Sequence, residues 1–363
     1  MNKFISITFI LVLTCLSCVD PIDFNIERGS IDQLVIDGRI VELLNEPNNY
    51  AEVNVQRVFN FESSSRSTVS VEEVTISNGQ QIIELSQQTL GKYSATFDNA
   101  EYDLSDDKEH FLRVVDLLGR TYESDIVKKP SLAIPESIQI KQSSAMVANS
   151  LGGLVEEERA AIVINTPILA GPNNGLHWEA TQTYQVNSVT PAKTCYVTEN
   201  PVTDRVLLLN TEELEIERLD EYELFKTPIN KRFREGIFFS VRQFSTDDAT
   251  LNHLSNIQSL VTLTETIFND PLNKLSSNIS NVTNPEEEVF GHFYATQAYD
   301  VRIKQDSIRP YCNRTPPEGF DTIDDASCDE RTGCPLSGMS ADPLCCDCQK
   351  VPGSSIDRPS YWK

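Results

Sequence analysis

The sequence predicts a mostly β protein: an N-terminal immunoglobulin-like β-sandwich, then a second β-rich domain with one long helix, then a Cys-rich tail. Three observations predict it. Short apolar stretches alternating with polar residues recur between residues 34 and 127, separated by turn signals and with no helical period. Helical spacing sustained over several turns is confined to one stretch, Ser245 to Phe268. Six of the nine cysteines crowd into residues 312–348. Composition bounds the rest. A chain of 363 residues with 39% hydrophobic residues can bury a real core in two or three domains, which excludes collagen, a simple disordered tail and a multi-span membrane protein. With 54 Asp+Glu against 30 Lys+Arg the net charge is −24, the wrong sign for a nucleic-acid partner.

The strand signals run in order. Leu34–Ile40 is strand-like, and Val53 and Val55 alternate with polar neighbours. Asn78-Gly79 sits between Val71–Ile76 and Gln81–Leu85, a hairpin signature. Gly91 opens a strand whose Tyr93, Ala95 and Phe97 share one face. Leu118-Gly119-Arg120 joins Phe111–Leu117 to Tyr122–Val127 as another hairpin. Ser63-Ser64-Ser65 reads as an exposed loop, and Pro130 and Pro135 bracket a boundary near residue 132. The sandwich is therefore assigned to 31–131 and the second domain to 132–308.

In the second domain, Ile138–Ile140, Ala160–Ile164, His177–Val186, Cys195–Val197, Val206–Leu209 and Ile237–Phe244 read as strands. Trp178, Ala180, Tyr184 and Val186 share a face. Residues 212–223 hold seven acids and one Arg, the pattern of a solvated strand edge or loop, with a surface for a cation or a basic partner as the alternative. A helix is expected near 246–268, with Ser245 as N-cap, Asp247 and Asp248 in the first turn, and Leu251, Leu254, Ile257 and Val261 on the packed side. Asn269-Asp270-Pro271 stops it. Phe290–Ala295 and Tyr299–Ile303 are expected as two further strands. From residue 309 to 363 the chain is Pro-, Gly- and Cys-rich and needs disulfides to hold together.

The first 17 residues carry an address. Lys3 precedes an apolar run from Phe4 to Leu13, too short to span a bilayer and of signal-peptide length. The small Ser17 directly before Cys18 resembles a bacterial lipobox, so cleavage before Cys18 and acylation of its thiol are expected. Residues 18–30 then form a polar tether. Removing residues 1–17 takes away Lys3 and no acid, so the mature body is more acidic still. Anionic head groups repel it, which leaves the tethering to the lipid.

Setting aside Cys15 and Cys18, seven cysteines remain as disulfide candidates: Cys195, Cys312, Cys328, Cys334, Cys345, Cys346 and Cys348. Either Cys195 reaches across to the tail, or it stays single while the tail pairs internally. Zinc is disfavoured because the tail holds no His. Asp321, Asp324, Asp325, Asp329 and Glu330 lack EF-hand spacing and read as solvated acids, so no metal ligand is assigned. The sequence contains no glycine-rich phosphate loop, no HExxH and no Gly-x-Ser-x-Gly. His177 and His292 read as structural histidines in strands, and no catalytic residue or cofactor is assigned.

Taken in order, these segments resemble the Bacteroidota lipoprotein family known as domain of unknown function 4249. The resemblance rests on Ser17-Cys18-Val19-Asp20-Pro21-Ile22-Asp23, Leu34-Val35-Ile36-Asp37-Gly38, Gly91-Lys92-Tyr93 and Tyr122-Glu123-Ser124. It continues through Val241-Arg242-Gln243-Phe244-Ser245, Ile267-Phe268-Asn269-Asp270-Pro271, Asn278-Ile279-Ser280-Asn281 and Asn284-Pro285-Glu286. Val289-Phe290-Gly291-His292-Phe293, where the family usually has Leu-Gly-Tyr-Phe, precedes the closing Cys346-Asp347-Cys348 and Pro359-Ser360-Tyr361-Trp362. The resemblance implies an outer-membrane, surface-facing lipoprotein, non-enzymatic, acting as a binding or accessory subunit of a TonB-dependent transporter; the alternative is a structural or adhesive envelope lipoprotein. It transfers no catalytic residue. Asp306-Ser307-Ile308 and Asp321-Thr322-Ile323 also resemble the Asp-Ser/Thr-apolar acceptor of Bacteroidota O-glycosylation, which makes Ser307 and Thr322 candidate glycosylation sites.

Overall fold

The computed structural model describes residues 33–57, 68–148, 152–169, 175–189, 192–212, 214–233, 235–262, 277–307 and 348–362. The protein is mostly β, as the sequence predicts, with several sheets and one α-helix among the described residues. Strands are numbered along the chain. The largest sheet runs, from one edge, β19 (Ser354–Ser355), β13 (Ala192–Glu199), β12 (Gly175–Val189), β16 (Ile237–Thr246), β18 (Phe293–Gln305), β1 (Leu34–Leu43), β2 (Asn49–Arg57), β6 (Lys92–Phe97) and β5 (Ser86–Thr89). β14 (Leu207–Asn210) lies beside β13 on the same edge of β12. A three-stranded sheet is built from β10 (Ser137–Ala148), β11 (Leu154–Pro167) and β15 (Arg218–Pro228). A third holds β17 (Ile279–Asn281), β8 (Thr121–Ser124), β7 (Glu109–Val115), β3 (Glu73–Ser77) and β4 (Ile82–Glu84), with β9 (Val127–Lys128) on β7. The helix is α1 (Asp248–Thr262).

Two cores form on one side of the large sheet. Alternation in β1 and β2 sends Leu34, Ile36, Ile40, Ala51, Val53 and Val55 to that side, where they meet Val74, Ile76, Leu112, Val114 and Tyr122 of the third sheet. Farther along the same side, Trp178, Tyr184, Phe239 and Val241 meet Ile138, Ala160, Ile162, Ile164 and Phe225 of the three-stranded sheet. Each such fully buried aliphatic side chain contributes on the order of 2 kcal/mol. Trp178, Ala180 and Tyr184 point into this second core together.

The halves are joined by β18. It pairs parallel with β1 from Gly38↔Phe293 to Leu43↔Ala298, and antiparallel with β16 from Phe244↔Ala298 to Ile237↔Gln305. The stretches Phe290–Ala295 and Tyr299–Ile303, expected as two strands, are parts of this one region: Phe293 onward is a single continuous strand, preceded by a bridge at Phe290. No turn residue separates them, and each half finds a different partner. Sheet order thus crosses residue 132: β18 and β17, from the 132–308 stretch, complete the N-terminal sheets.

The junction depends on one glycine. Gly291 has φ +111°, and a Cβ there would lie 2.1 Å from the Ile36 carbonyl oxygen. On either side, Ile36 N–H donates to Phe290 O and Gly38 N–H donates to His292 O. Only a residue without a side chain allows this approach and this φ.

Two expectations about the helix are corrected. Ser245 is not its N-cap. It remains in β16, where its hydroxyl donates to the Pro130 carbonyl. Asp247 caps instead, accepting from the Thr250 N–H at 2.8 Å. A carboxylate two residues later outcompetes the hydroxyl because the strand continues to Thr246. Residues 263–268 of the expected helix lie outside the described residues. The acid-rich 212–223 stretch divides between a loop and the start of β15, where Glu221 takes φ +49° at a bulge and donates its N–H to the Asn165 side chain.

Cys195 reaches across to the tail and bonds Cys348, 153 residues later, with Cα atoms 5.8 Å apart. The closing segment then lays Tyr361 and Trp362 on Phe238 and Tyr196. Replacing Gly291 by Ala should prevent the parallel junction: we expect loss of several kcal/mol or no soluble folded protein, measured by urea unfolding, whereas Gly79→Ala, in open space at a turn tip but at φ +83°, should cost only about 1–2 kcal/mol.

Candidate functional site

The other face of the large sheet carries a band of charge and aromatic rings. Four strands contribute an ionic residue to this face: Arg39 in β1, Glu179 in β12, Arg242 in β16 and Asp300 in β18. Alternation turns each of them away from the cores. Arg39 Nε donates to Glu52 Oε1 at 2.7 Å, and its Nη1 and Nη2 donate to the two oxygens of Glu179 at 2.6 and 3.2 Å. Arg242 is paired through two nitrogens with Asp300, directly opposite it in the register, and its Nη1 donates to the Tyr50 hydroxyl at 3.2 Å.

The Arg39–Glu179 contact reveals the shape. Between β1 and β12 lie β18 and β16, so a flat sheet would separate them by about 14 Å across the strands. Arg39 stands beside Tyr294, whereas Glu179 lies in register with Arg242 and Asp300, six residues farther along β18, or about 20 Å. Two side chains close that gap only if the sheet curls so that this face is concave. Arg39 crosses the hollow with its guanidinium 4.9 Å from the Phe244 ring centre. Tyr50 lies between the two guanidinium groups, 5.9 Å from Arg39 and 5.5 Å from Arg242.

Electrostatics keep the band ionised. Burial opposes the Arg39 charge, but Tyr294, Glu179 and Tyr50 around it hold its pKa well above the ordinary arginine value. Burial pushes Glu179 up, and Arg39, through its charge and its hydrogen bonds, with His177 and Arg242, brings it below the ordinary carboxylate value. Burial pushes Tyr294 up to about 12. The Arg39 side chain is 13% exposed, while Glu52 and Glu179 keep 41% and 43%. The hollow therefore presents carboxylate oxygens and aromatic edges above a saturated cation. That arrangement suits a ligand with hydroxyl or amino donors and an apolar face.

α1 closes one end of this face. The His253 ring stacks on His292 at 4.8 Å, His292 Nε2 is 3.1 Å from the Thr250 hydroxyl, and His292 N–H donates to Asp37. Burial pushes Asp37 up against the pull of His253, and burial, then His253, pushes His292 down to about 4. A cavity of about 480 Å³ opens beside it, lined by Asp125, Lys128, Lys129, Asp247, Asn278 and His292 among others. His177, the second histidine of the sequence reading, is buried and stacked on Phe244 at 5.1 Å; burial brings it to about 4. Among the described residues no three His, Cys, Asp or Glu side chains gather as metal ligands.

Of the residues singled out in the sequence, Cys195 and Cys348 come together and Ser307 lies exposed just past β18. Cys18, Cys312, Cys328, Cys334, Cys345, Cys346 and Thr322 lie outside the described residues. Sequence reasoning missed Arg39, Glu179, Arg242 and Asp300. The available signal was a charge embedded in each of four strand-like runs, a position that is costly to bury unless the charge is paired.

Fold and face together define a class: a β protein with two cores behind one curled sheet and a recessed polar–aromatic face in front. The chain belongs to the family described as "Domain of unknown function (DUF4249)", whose model matches residues 19–302. No curated protein matches the chain.

Replacing Arg39 by Gln should leave Glu179 and Glu52 without their cation and cost about 1–2 kcal/mol in urea unfolding, since a buried guanidinium is removed but both carboxylates it leaves behind are half-exposed. Stability should also fall with acid. His110, His177 and His292 have folded pKa values of about 4, against 6.5 as the ordinary value, so the unfolded chain takes up their protons first. Their contribution is complete above about pH 6.5 and is lost as pH falls toward 4, at up to about 1.4 kcal/mol per pH unit for each. Asp37, raised by burial, offsets part of this. A urea midpoint unchanged between pH 7.5 and 5 would contradict the expectation.

Proposed function

We propose that the chain is an outer-membrane lipoprotein, anchored through Cys18 and facing the cell surface, that serves as a non-enzymatic binding or accessory subunit of a TonB-dependent outer-membrane transporter. The observation that carries this reading is the Cys195–Cys348 disulfide, because such bonds persist in exported proteins and are rare in reducing compartments. The leader ending at Ser17-Cys18 gives the same address and supplies an anchor. Acyl chains bind a bilayer firmly, at about 0.8 kcal/mol per buried CH₂, and an acidic body adds no attraction of its own. Among the described residues no helix is long and apolar enough to cross a membrane.

The binding role draws on the recessed face. Its polar groups are fixed by ion pairs before any ligand arrives, so little ordering cost remains at binding. The transporter partnership draws on the family resemblance. Intact-mass analysis of the protein from its own cells should find acyl mass on an N-terminal Cys18; an unmodified terminus would remove the anchor. Purification from native membranes in mild detergent should recover a β-barrel with it. Recovery alone, together with a deletion strain altered in attachment but not in nutrient uptake, would favour the structural or adhesive role.

A further inference from the structure

The β10–β11 hairpin is longer than the sheet it belongs to. β15 pairs with β11 from Arg159 to Pro167, and Ile229 just past it donates its N–H to the Glu158 carbonyl, so four rungs, from Ala145↔Glu157 to Ala148↔Leu154, extend past the third strand. At about 3.4 Å per residue this is an arm of about 14 Å. Near the base the same strands are packed: Ile138, Ala160, Ile162 and Ile164 are buried in the second core. Along the arm they are open, yet the outermost rungs are apolar on both faces. Met146, Leu154 and Val155 are 61%, 67% and 42% exposed. Unpaired arms are normally kept apart from other chains by charge at their edge. Here residues 142–148 of the edge strand β10 carry none.

Charge appears one step back. Met146 pairs across the rung with Glu156, followed by Glu157 and Glu158. Arg159 satisfies Glu157 at 2.8 Å, and Glu156 and Glu158 have no ion-pair partner among the described residues. The last described rungs of the arm are therefore apolar, with an acidic collar behind them.

We propose that this arm is a docking finger for a protein partner that offers an apolar cleft rimmed by Lys or Arg. The apolar rungs around Met146, Leu154 and Val155 fill the cleft and the collar meets the rim. A bilayer is a poorer host. Hydrocarbon would strip water from the unpaired backbone edges of a two-stranded arm and would reach Glu156 at the third rung. A second copy is a poorer host too, because its collar and its acidic body repel the first. The finger is independent of the lipid at Cys18, so failure of either reading leaves the other standing.

The test uses the full-length protein in its own cells, with a photo-crosslinking residue replacing Met146 or Leu154, and Gln139 at the arm's base as control. We expect one protein adduct from both tip positions and none from Gln139. The crosslinked partner peptide should line an apolar cleft with Lys or Arg at its rim. Glu156→Lys with Glu158→Lys should cut the adduct at least tenfold while the urea midpoint of the purified protein stays the same. Adducts only to lipid, adducts only to another copy of this chain, no adduct, or an adduct indifferent to the charge reversal would each overturn the proposal.

Discussion

The structure depends on the parallel contact between the start of β18 and β1. These segments lie about 250 residues apart in the chain, so their pairing closes a long loop and is entropically costly until other contacts support it. That support comes from both sides. Behind the junction, Ile36, Ile40, Phe293 and Ala295 share the first core. In front, Arg39 ties β1 to Glu179 on the far side of β18 and β16. Gly291 makes the contact sterically possible. Without it the large sheet would be two sheets, each with an exposed edge.

The curl follows from that splice. β18 gives its first half to β1 and its second half to β16, so the two halves of the sheet are sheared along it. Right-handed twist accumulates across such a stagger. Both cores occupy one side, and the opposite face turns in on itself. An inward-turning face limits the solvent around any charge on it, so Arg39, Glu179, Arg242 and Asp300 are retained only as pairs. The pairing makes them a rigid floor rather than a source of free charge.

Two features stand apart from this floor and need no contact with it. The Cys195–Cys348 bond returns the end of the chain to the sheet edge, where Tyr361 and Trp362 cover Phe238 and Tyr196. The acid-collared arm projects from the smaller sheet. In the proposed function the first bears on the compartment, the second on a partner and the recessed face on a ligand. A body that is strongly acidic overall favours partners of opposite charge at each of these surfaces.

Much of the architecture was legible in the sequence because it is local. Period-two alternation located the strands. Asn78-Gly79 and Leu118-Gly119-Arg120 located hairpins, and the spacing of Leu251 and Leu254 located the helix. Family membership was legible from the order of short motifs, and the glycine of Phe290-Gly291-His292 now has a steric reason. Tertiary structure alone decided that β18 is one strand with two partners, that Asp247 rather than Ser245 caps the helix, and that Cys195 finds Cys348. It alone brought Arg39 to Glu179 across 140 residues. The physical reason is the same in each case. Local pattern fixes which way a side chain points, but the partner it meets depends on how distant strands stack and how far the sheet bends. No window of the sequence contains that information.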